Sequence, residues 1–223
     1  MWDKGWDQIF SNFEWGKYPG EDLIRFIARN FYKIKNRQSI KILEVGCGTG
    51  ANIWFLSREG FTSYGIDGSK IAIDKASQYL ENENLKADLR VGDAMKLPYE
   101  KSYFDAVIDV ECIYANSLED ANLILQEIHR VLKPGGLLFS KTFGDKMSGQ
   151  ETATEVEGEK GTFLKMPDGP LRDGYGIIRL TSESQIEDLY AMFDEISYDY
   201  LYRTDSGGIK IVPEWIINAK KAD

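Results

Sequence analysis

Four carboxylates and one glycine-rich stretch stand out, because each lies where a strand-like run ends. The stretch KILEVGCGTG, residues 41–50, carries Glu44 and then a glycine at every second position. Asp67, Asp93 and Asp109 close three further runs in the same way. A carboxylate accepts charge-assisted hydrogen bonds from hydroxyl and amine groups. A glycine lacks a Cβ, so its backbone can approach another group closely or take a tight turn. These residue types favour a site that holds a polar ligand.

The elements that carry these residues alternate between strand and helix from residue 40 to 142. Hydrophobic periodicity predicts strands over 40–45, 62–67, 87–93, 103–110, 137–143, 195–203 and 208–218, and helices over 20–34, 51–59, 69–80, 118–132 and 182–193. Such alternation is typical of a parallel sheet with helices on both faces, whose ligands bind beyond the carboxyl ends of the strands. We therefore expect Glu44 to Gly50, Asp67, Asp93 and Asp109 to converge on one rim.

Composition limits the partners and the compartment. The 223 residues carry a formal net charge of −9 and two cysteines, Cys47 and Cys112. The negative charge disfavours nucleic acid and anionic membrane surfaces as partners. The sequence suggests no disulfide framework, no metal-binding spacing of cysteine and histidine, no signal peptide and no membrane-spanning run. We expect one domain in the cytoplasm, with the oligomeric state left open.

Three interpretations of the glycine-rich stretch compete. The first is a tight strand-to-helix connection that binds nothing. The second is a dinucleotide site, because Gly46, Gly48 and Ala51 fit the loose G-x-G-x-x-G/A pattern and Asp67 lies 19 residues after Gly48. The third interpretation comes from the neighbouring segments.

Four segments in order resemble class I S-adenosylmethionine-dependent methyltransferases. LEVGCGTG resembles the family's motif I, and GIDGS resembles the next motif. VGDAMKLPYEKSYFDAVIDV and EIHRVLKPGGLLF resemble the two stretches that follow, so the resemblance covers about residues 40–142. GDAMKLPY and RVLKPGG have no place in a dehydrogenase pattern, which favours this third interpretation over a dinucleotide site.

The resemblance implies an α/β fold: a doubly wound, mostly parallel seven-stranded sheet of the Rossmann-like type, with the last hairpin antiparallel. Within a single methyltransferase domain over 1–223, we expect an N-terminal helical segment over 1–39 and a cofactor-binding core over 40–142. A lid insertion is expected after the fifth strand over 143–176, and a helix with two strands completes the chain over 177–223.

The resemblance also implies S-adenosylmethionine as the cofactor and a role for each acid. Glu44 would orient the ammonium end, Asp67 would accept the ribose hydroxyls, and Asp93 would accept from the adenine amine. Asp109 and Val110 would lie near the methionyl end. The implied cofactor-binding set is Glu44, Gly46, Cys47, Gly48, Gly50, Asp67, Gly68, Ser69, Asp93, Ala94, Met95, Asp109, Val110, Trp15 and Tyr18.

A purely structural role stays open for each acid. Glu44 could be satisfied by backbone N–H groups, and Asp67 could cap the helix that begins after Ser69. Asp93 could be a turn residue. Asp109 could be a buried polar residue, which is costly without a partner.

The implied reaction is transfer of a methyl group from S-adenosylmethionine to an oxygen or nitrogen of a small-molecule acceptor. The sequence assigns no catalytic residue, and Asp109, Glu111 and Tyr114 are the candidates. A non-catalytic S-adenosylmethionine-binding protein and a nicotinamide-dependent oxidoreductase are the alternatives.

The predicted insertion over 143–176 is polar and rich in glycine, which is typical of a lid, a binding loop or a disordered segment. It follows the fifth strand and would therefore lie over the ligand rim. Lys165, Arg172 and Tyr175 are residue types that can hold an acceptor. The segment MPDGP within it indicates a turn, so part of the insertion is expected to form a hairpin.

Overall fold

A computed structural model describes residues 4–171 and 176–223. Six α-helices lie in this part of the chain: α1 Gly5–Asn12, α2 Glu21–Phe31, α3 Ala51–Arg58, α4 Lys70–Asn82, α5 Leu118–Val131 and α6 Glu183–Leu189. The strands are β1 Lys41–Val45, β2 Thr62–Asp67, β3 Asp88–Val91, β4 Phe104–Val110, β5 Leu132–Phe143, β6 Thr162–Phe163, β7 Ile178–Arg179, β8 Glu195–Asp205 and β9 Lys210–Lys220.

Seven of the strands form one sheet in the order β3-β2-β1-β4-β5-β9-β8. The strands β1 to β5 pair in parallel, whereas β9 runs antiparallel to both β5 and β8. The predicted doubly wound, mostly parallel sheet is confirmed. The loops after β3, β2, β1 and β4 therefore meet at one rim of the sheet.

Helices cover both faces of this sheet, as the alternation of elements requires. The helices α2, α3 and α4 pack Leu23, Ile27 and Leu56 against one face, together with Phe139 of β5. On the other face, α5 and α6 pack Ile124, Ile128, Ile186 and Leu189. These two apolar layers fix the strand ends that carry the acids.

The largest boundary difference concerns the segment KPGG. The sequence predicts a helix to residue 132 and a strand only from 137, but α5 ends at Val131 and β5 begins at Leu132. Leu132 is already extended, with φ −67° and ψ 137°. A residue before proline avoids the helical region, so Lys133 continues the strand. A register shift between Phe104 and Ala106 accommodates the irregular start of β5.

The predicted end of α6 is also too late. The helix begins after Ser182 as expected, and Gln185 completes its capping box. It ends at Leu189, and Phe193 packs in the core from beyond the helix rather than from its last turn. An apolar position at helical spacing can thus belong to the following turn.

The segment between β5 and α6 begins and ends at neighbouring positions, because Gly144 forms a β-bridge with Thr181. Between them, β6 and β7 pair antiparallel, so a paired segment is present around the predicted turn. A separate apolar cluster joins Met147, Phe163 and Met166 of this segment to Tyr114 and Val212. Lys165 is exposed, and Arg172 and Tyr175 lie outside the described residues.

Candidate active site

A cavity of about 200 Å³ lies at the carboxyl ends of β1, β2 and β4. It is lined by Trp6, Phe10, Trp15, Glu44, Gly46, Cys47, Gly48, Thr49, Ala51, Asn52, Ile66, Asp67, Gly68, Gly92, Asp93, Ala94, Val110, Glu111, Cys112, Tyr114, Ala115, Asn116 and Ile124. Three of the four acids that the sequence places at strand ends therefore share one cavity. The fourth, Asp109, does not reach its wall.

Packing inside the protein explains two of the three glycines in the loop after β1. Gly46 and Gly50 have φ values of +64° and +85°, in the left-handed region that disfavours residues with a Cβ. A Cβ on Gly46 would lie 2.5 Å from the side chain of Cys112, and one on Gly50 would lie 2.9 Å from Cβ of Ala76. Gly50 does not line the cavity, so its role is to let α3 approach α4.

Asp67 ties the glycine loop to the next helix. The backbone N–H of Gly48 donates to its Oδ2 at 2.9 Å, and the N–H of Ser69 donates to its Oδ1 at 2.8 Å. Burial raises the pKa of Asp67, and these two hydrogen bonds oppose that rise. Ser69 is fully buried, and its hydroxyl accepts a hydrogen bond from the N–H of Ala72 as the N-cap of α4. It therefore stabilises the start of the helix and does not line the cavity. Each Asp67 oxygen keeps a further lone pair for a ligand hydroxyl.

Glu44 presents an unpaired buried oxygen. Its Oε1 accepts a hydrogen bond from Nδ2 of Asn52 at 2.5 Å. Its Oε2 has no partner among the described residues. Burial, with a smaller contribution from the nearby charges of Asp67 and Asp109, raises the pKa of Glu44 to about 8 against the opposing effect of the Asn52 hydrogen bond. An unpaired buried carboxylate is costly, which favours a cationic ligand group beside it.

Asp93 forms the exposed end of the cavity. Its Oδ1 accepts the N–H of Met95 at 2.9 Å, which shapes the turn after β3. That N–H is thus unavailable to a ligand, and the Met95 side chain packs against the main core instead of lining the cavity. Ala94 does line it. The structure therefore does not place Met95 of the implied cofactor-binding set in the cavity wall.

Asp109 lies beneath the cavity and is fully buried. Its Oδ1 accepts from the N–H groups of Cys112 and Ile113, and its Oδ2 accepts from the Ser140 hydroxyl. Burial raises its pKa to about 6, while these bonds and the charge of Arg179 oppose the rise. Asp109 shapes the turn after β4, so the structure does not bring it to a reacting group.

Aromatic side chains of the N-terminal segment close one side of the cavity. Trp6 and Phe10 lie four residues apart on α1, and the Trp15 ring centroid lies 5.5 Å from that of Phe10. A hydroxyl–carboxylate contact between Ser69 and Asp7 holds α1 on α4. Tyr18 is 72% exposed and packs edge-on against Trp54, away from the cavity.

The remaining reaction candidates, Glu111 and Tyr114, both line the cavity. Burial raises the pKa of Tyr114, whose ring packs edge-on against Phe143 at 4.8 Å. Burial also raises the thiol pKa of Cys47 and Cys112, so neither is an activated nucleophile. Within residues 4–171 and 176–223, no group of three or more metal-ligating side chains occurs.

Comparison with known proteins now bears on this site. The sequence profile of a family described as a methyltransferase domain matches residues 42–136, which contain most of β1, all of β2 to β4 and the four acids that line the cavity. A crystal structure of an S-adenosylmethionine-dependent methyltransferase from Methanosarcina mazei superposes with a TM-score of 0.69 at 26% identity, covering 82% of this chain and 93% of that one. The resemblance to class I S-adenosylmethionine-dependent methyltransferases is confirmed.

Curated methyltransferases are similar over the same region. The sterol 24-C-methyltransferase of Neurospora crassa is 32% identical over 154 residues, or 65% of this chain and 38% of that protein. The ubiquinone biosynthesis O-methyltransferase of Bartonella tribocorum is 34% identical over 104 residues, or 47% of this chain and 41% of that protein. The chain thus spans only about two fifths of these relatives.

The cavity fits S-adenosylmethionine, the cosubstrate that the resemblance implies. S-adenosylmethionine carries an ammonium, two ribose hydroxyls and an adenine, and the unpaired oxygen of Glu44 suits a cation. Asp67 and Asp93 are acceptors on the same wall. The rest of the implied set that lines the cavity is Gly46, Cys47, Gly48, Gly68, Ala94, Val110 and Trp15.

Sequence reasoning missed several residues of the cavity. They are Trp6, Phe10, Thr49, Ala51, Asn52, Ile66, Gly92, Cys112, Ala115, Asn116 and Ile124. The four-residue spacing of Trp6 and Phe10 is a helical signal that could have placed both on one face of α1. Nothing in the sequence shows that this face packs over the loop of β1.

Proposed function

We propose that this protein transfers a methyl group from S-adenosylmethionine to an oxygen or nitrogen of a polar small molecule. The observation that carries the proposal is the meeting of Glu44, Asp67 and Asp93 in one cavity. These acids supply acceptors for the ammonium, the ribose and the adenine of the cosubstrate. Similarity to methyltransferases favours this reaction over nicotinamide-dependent oxidation.

The residues of the chain act mainly by holding and aligning the reactants. S-adenosylmethionine, when bound, supplies a methyl carbon that its sulfonium sulfur activates. Glu44 and Asp67 would hold the cosubstrate in a fixed position in the cavity. Trp6, Phe10 and Trp15 would exclude water from it. In-line alignment of two reactants is worth up to about 7–11 kcal/mol.

Charge beside the cavity supports a polar acceptor. The relatives named above are a sterol C-methyltransferase and a ubiquinone biosynthesis O-methyltransferase. In this chain, Glu111 lines the cavity on the side beyond β4, next to Glu214. An apolar sterol beside Glu111 would displace water from this carboxyl group without giving it a partner, which favours a polar acceptor.

We further propose that residues 143–176 form a lid on the acceptor side. The support is that Met147, Phe163 and Met166 pack on Tyr114, which itself lines the cavity. Limited proteolysis tests the lid: cleavage within 143–176 should slow when S-adenosylhomocysteine and an acceptor are both bound. Equal cleavage rates with and without them would contradict it.

The cytoplasm is our proposed location, and two free cysteines support a reducing compartment. In the part of the chain that the structure covers, no helix has the length and apolarity to span a bilayer.

A radiolabel assay tests the proposed reaction. The protein is incubated with S-[methyl-³H]adenosylmethionine and panels of phenols, alkylamines and sterols, and the label is followed into each product. We expect label in a hydroxyl or amine compound, with release of S-adenosylhomocysteine in equal amount. Binding of the cosubstrate without transfer to any panel would favour a non-catalytic binding protein. Label on a sterol carbon would contradict the polar acceptor.

A further inference from the structure

A cluster of five charged residues adjoins the cavity through Glu111, on the side beyond β4. The cluster, called the charged rim below, consists of Asp22, Glu111, Lys141, Arg203 and Glu214. They come from α2, the end of β4, β5, β8 and β9. None of these residues belongs to the set that the family resemblance assigns to the cofactor.

Glu214 is the fixed centre of the charged rim. It is 1% exposed. Its Oε1 lies 3.2 Å from Nζ of Lys141, and its Oε2 accepts from Nε of Arg203 at 3.2 Å. Lys141 also faces Asp22, at 3.9 Å. A buried carboxylate between two cations is held in place, because breaking either pair would leave a buried charge.

Glu111 joins this rim to the cavity. It follows β4 directly, and its backbone N–H donates to the carbonyl of Lys141 at 2.9 Å. Its φ of +57° is in the left-handed region, which is uncommon for a residue with a side chain. Strained backbone of this kind clusters at functional sites. The side chain lines the cavity on one side and faces Glu214 on the other.

The environment of Glu111 suits a group that gains and loses a proton near neutral pH. Burial and the neighbouring Glu214 carboxylate raise its pKa to about 7, while Lys141 and Arg203 oppose the rise. Asp22 contacts the rim through Lys141. A general base works best when its pKa lies near the operating pH.

The strand order places Glu111 at the reacting end of the cavity. Along the rim the acids follow the order Asp93 after β3, Asp67 at β2, Glu44 on β1 and Glu111 after β4. Neighbouring strands lie about 4.8 Å apart. If Asp93 and Asp67 hold the adenosyl end, the opposite end of the ligand lies toward Glu44 and Glu111. The unpaired Oε2 of Glu44 indicates that a ligand group is expected there.

We propose that Glu111 is the catalytic base for the acceptor and that Glu214 is a positioning residue that sets its protonation. The inference rests on the proposed methyl transfer. It narrows the acceptor to a hydroxyl or ammonium compound, since such a group must lose a proton when it is methylated.

The proton and electron pairs balance in this step. The acceptor's O–H or N–H bond breaks, its proton passes to a carboxylate oxygen of Glu111, and its electron pair remains on the acceptor atom. That atom forms the new bond to the methyl carbon. The carbon–sulfur bond breaks, and its electron pair leaves with the sulfur. Glu111 then returns the proton to water.

Carboxyl titration by ¹³C NMR tests the effect of Glu214 on the pKa of Glu111 without any acceptor. In protein labelled at the glutamate carboxyl carbons, we expect one signal to titrate near pH 7 and to be absent from Glu111→Gln. In Glu214→Gln the same signal should titrate about one pH unit lower, because a negative neighbour is gone. Glu100→Gln, a surface change, is the control. A Glu111 signal that titrates below pH 5 in the wild type would overturn the proposal.

Kinetics test the role of the base with the acceptor that the radiolabel assay finds. The wild-type kcat/KM should rise with pH through about 7, and Glu111→Gln should lower kcat by about 100-fold or more. Glu111→Asp should restore part of the rate, and Glu214→Gln should move the acid limb to lower pH. An unchanged rate and pH profile in Glu111→Gln would overturn the proposal.

Cofactor binding separates this inference from the proposed function. S-adenosylhomocysteine should bind Glu111→Gln with wild-type affinity in calorimetry, since Glu111 acts on the acceptor. If the wild type itself fails to bind it, the proposed function fails. If binding is normal but Glu111→Gln keeps full turnover, only the assignment of Glu111 fails.

Discussion

Replacing Glu44 by glutamine should make the protein's stability less sensitive to rising pH. The folded protein raises the pKa of this buried carboxyl from 4.5 to about 8. A group whose pKa is raised on folding favours the fold while it is protonated in both states. Its contribution is therefore complete below pH 4.5 and is lost as the pH rises through about 8. Between pH 5.5 and 8.5, this linkage amounts to about 3 kcal/mol of unfolding free energy.

Urea unfolding at pH 5.5 and 8.5, followed by tryptophan fluorescence, measures the effect. Glutamine keeps the oxygen that accepts from Asn52, so the variant should fold. The wild type should lose about 3 kcal/mol more than Glu44→Gln between the two pH values. Asp109 and Glu111 titrate in both proteins, so the difference isolates Glu44. Glu100→Gln should behave like the wild type. Equal pH dependence in wild type and Glu44→Gln would refute the reasoning.

Three further changes probe the cavity wall. Asp67→Asn should weaken S-adenosylhomocysteine binding by about tenfold to a hundredfold in calorimetry, because a charge-assisted acceptor is lost; wild-type affinity in the folded variant would count against Asp67 as the ribose acid. Gly46→Ala should lower the unfolding free energy by about 2–4 kcal/mol, because it puts an alanine in the left-handed backbone region and makes its Cβ overlap Cys112. Adding Cys112→Gly should recover part of that loss, and no recovery would contradict the overlap. Trp15→Ala should weaken S-adenosylhomocysteine binding about fivefold in the same calorimetry. Phe13→Ala, which changes a 54% exposed ring outside the cavity, should leave the affinity unchanged. Equal effects of the two changes would contradict a specific contact between Trp15 and the ligand.

The rim of acids was predictable because strand topology alone dictates it. Parallel strands end at one edge, so Glu44, Asp67 and Asp93 meet without any knowledge of side-chain contacts. The seven strands of the sheet and the antiparallel last hairpin were implied by the family resemblance and are confirmed. A strong apolar periodicity also placed most helices to within a few residues.

Side-chain environments could not be predicted from spacing. Asp109 ends β4 as expected, yet the turn after β4 folds back over it and takes its oxygens. Met95 follows Asp93 as in the family pattern, but its N–H is taken by that acid. Tyr18 packs on Trp54, a contact between segments far apart in sequence. The pairing of Glu111 with Glu214 likewise depends on β9 returning beside β5, about 100 residues later.

Isothermal titration of the purified protein with S-adenosylhomocysteine, S-adenosylmethionine and NAD tests the central claim most directly. The account predicts saturable binding of both adenosyl compounds at one site per chain, and no binding of NAD. It also predicts that Asp67→Asn weakens binding while Glu100→Gln does not. Binding of NAD in place of S-adenosylhomocysteine, or no binding of either adenosyl compound by folded protein, would contradict it.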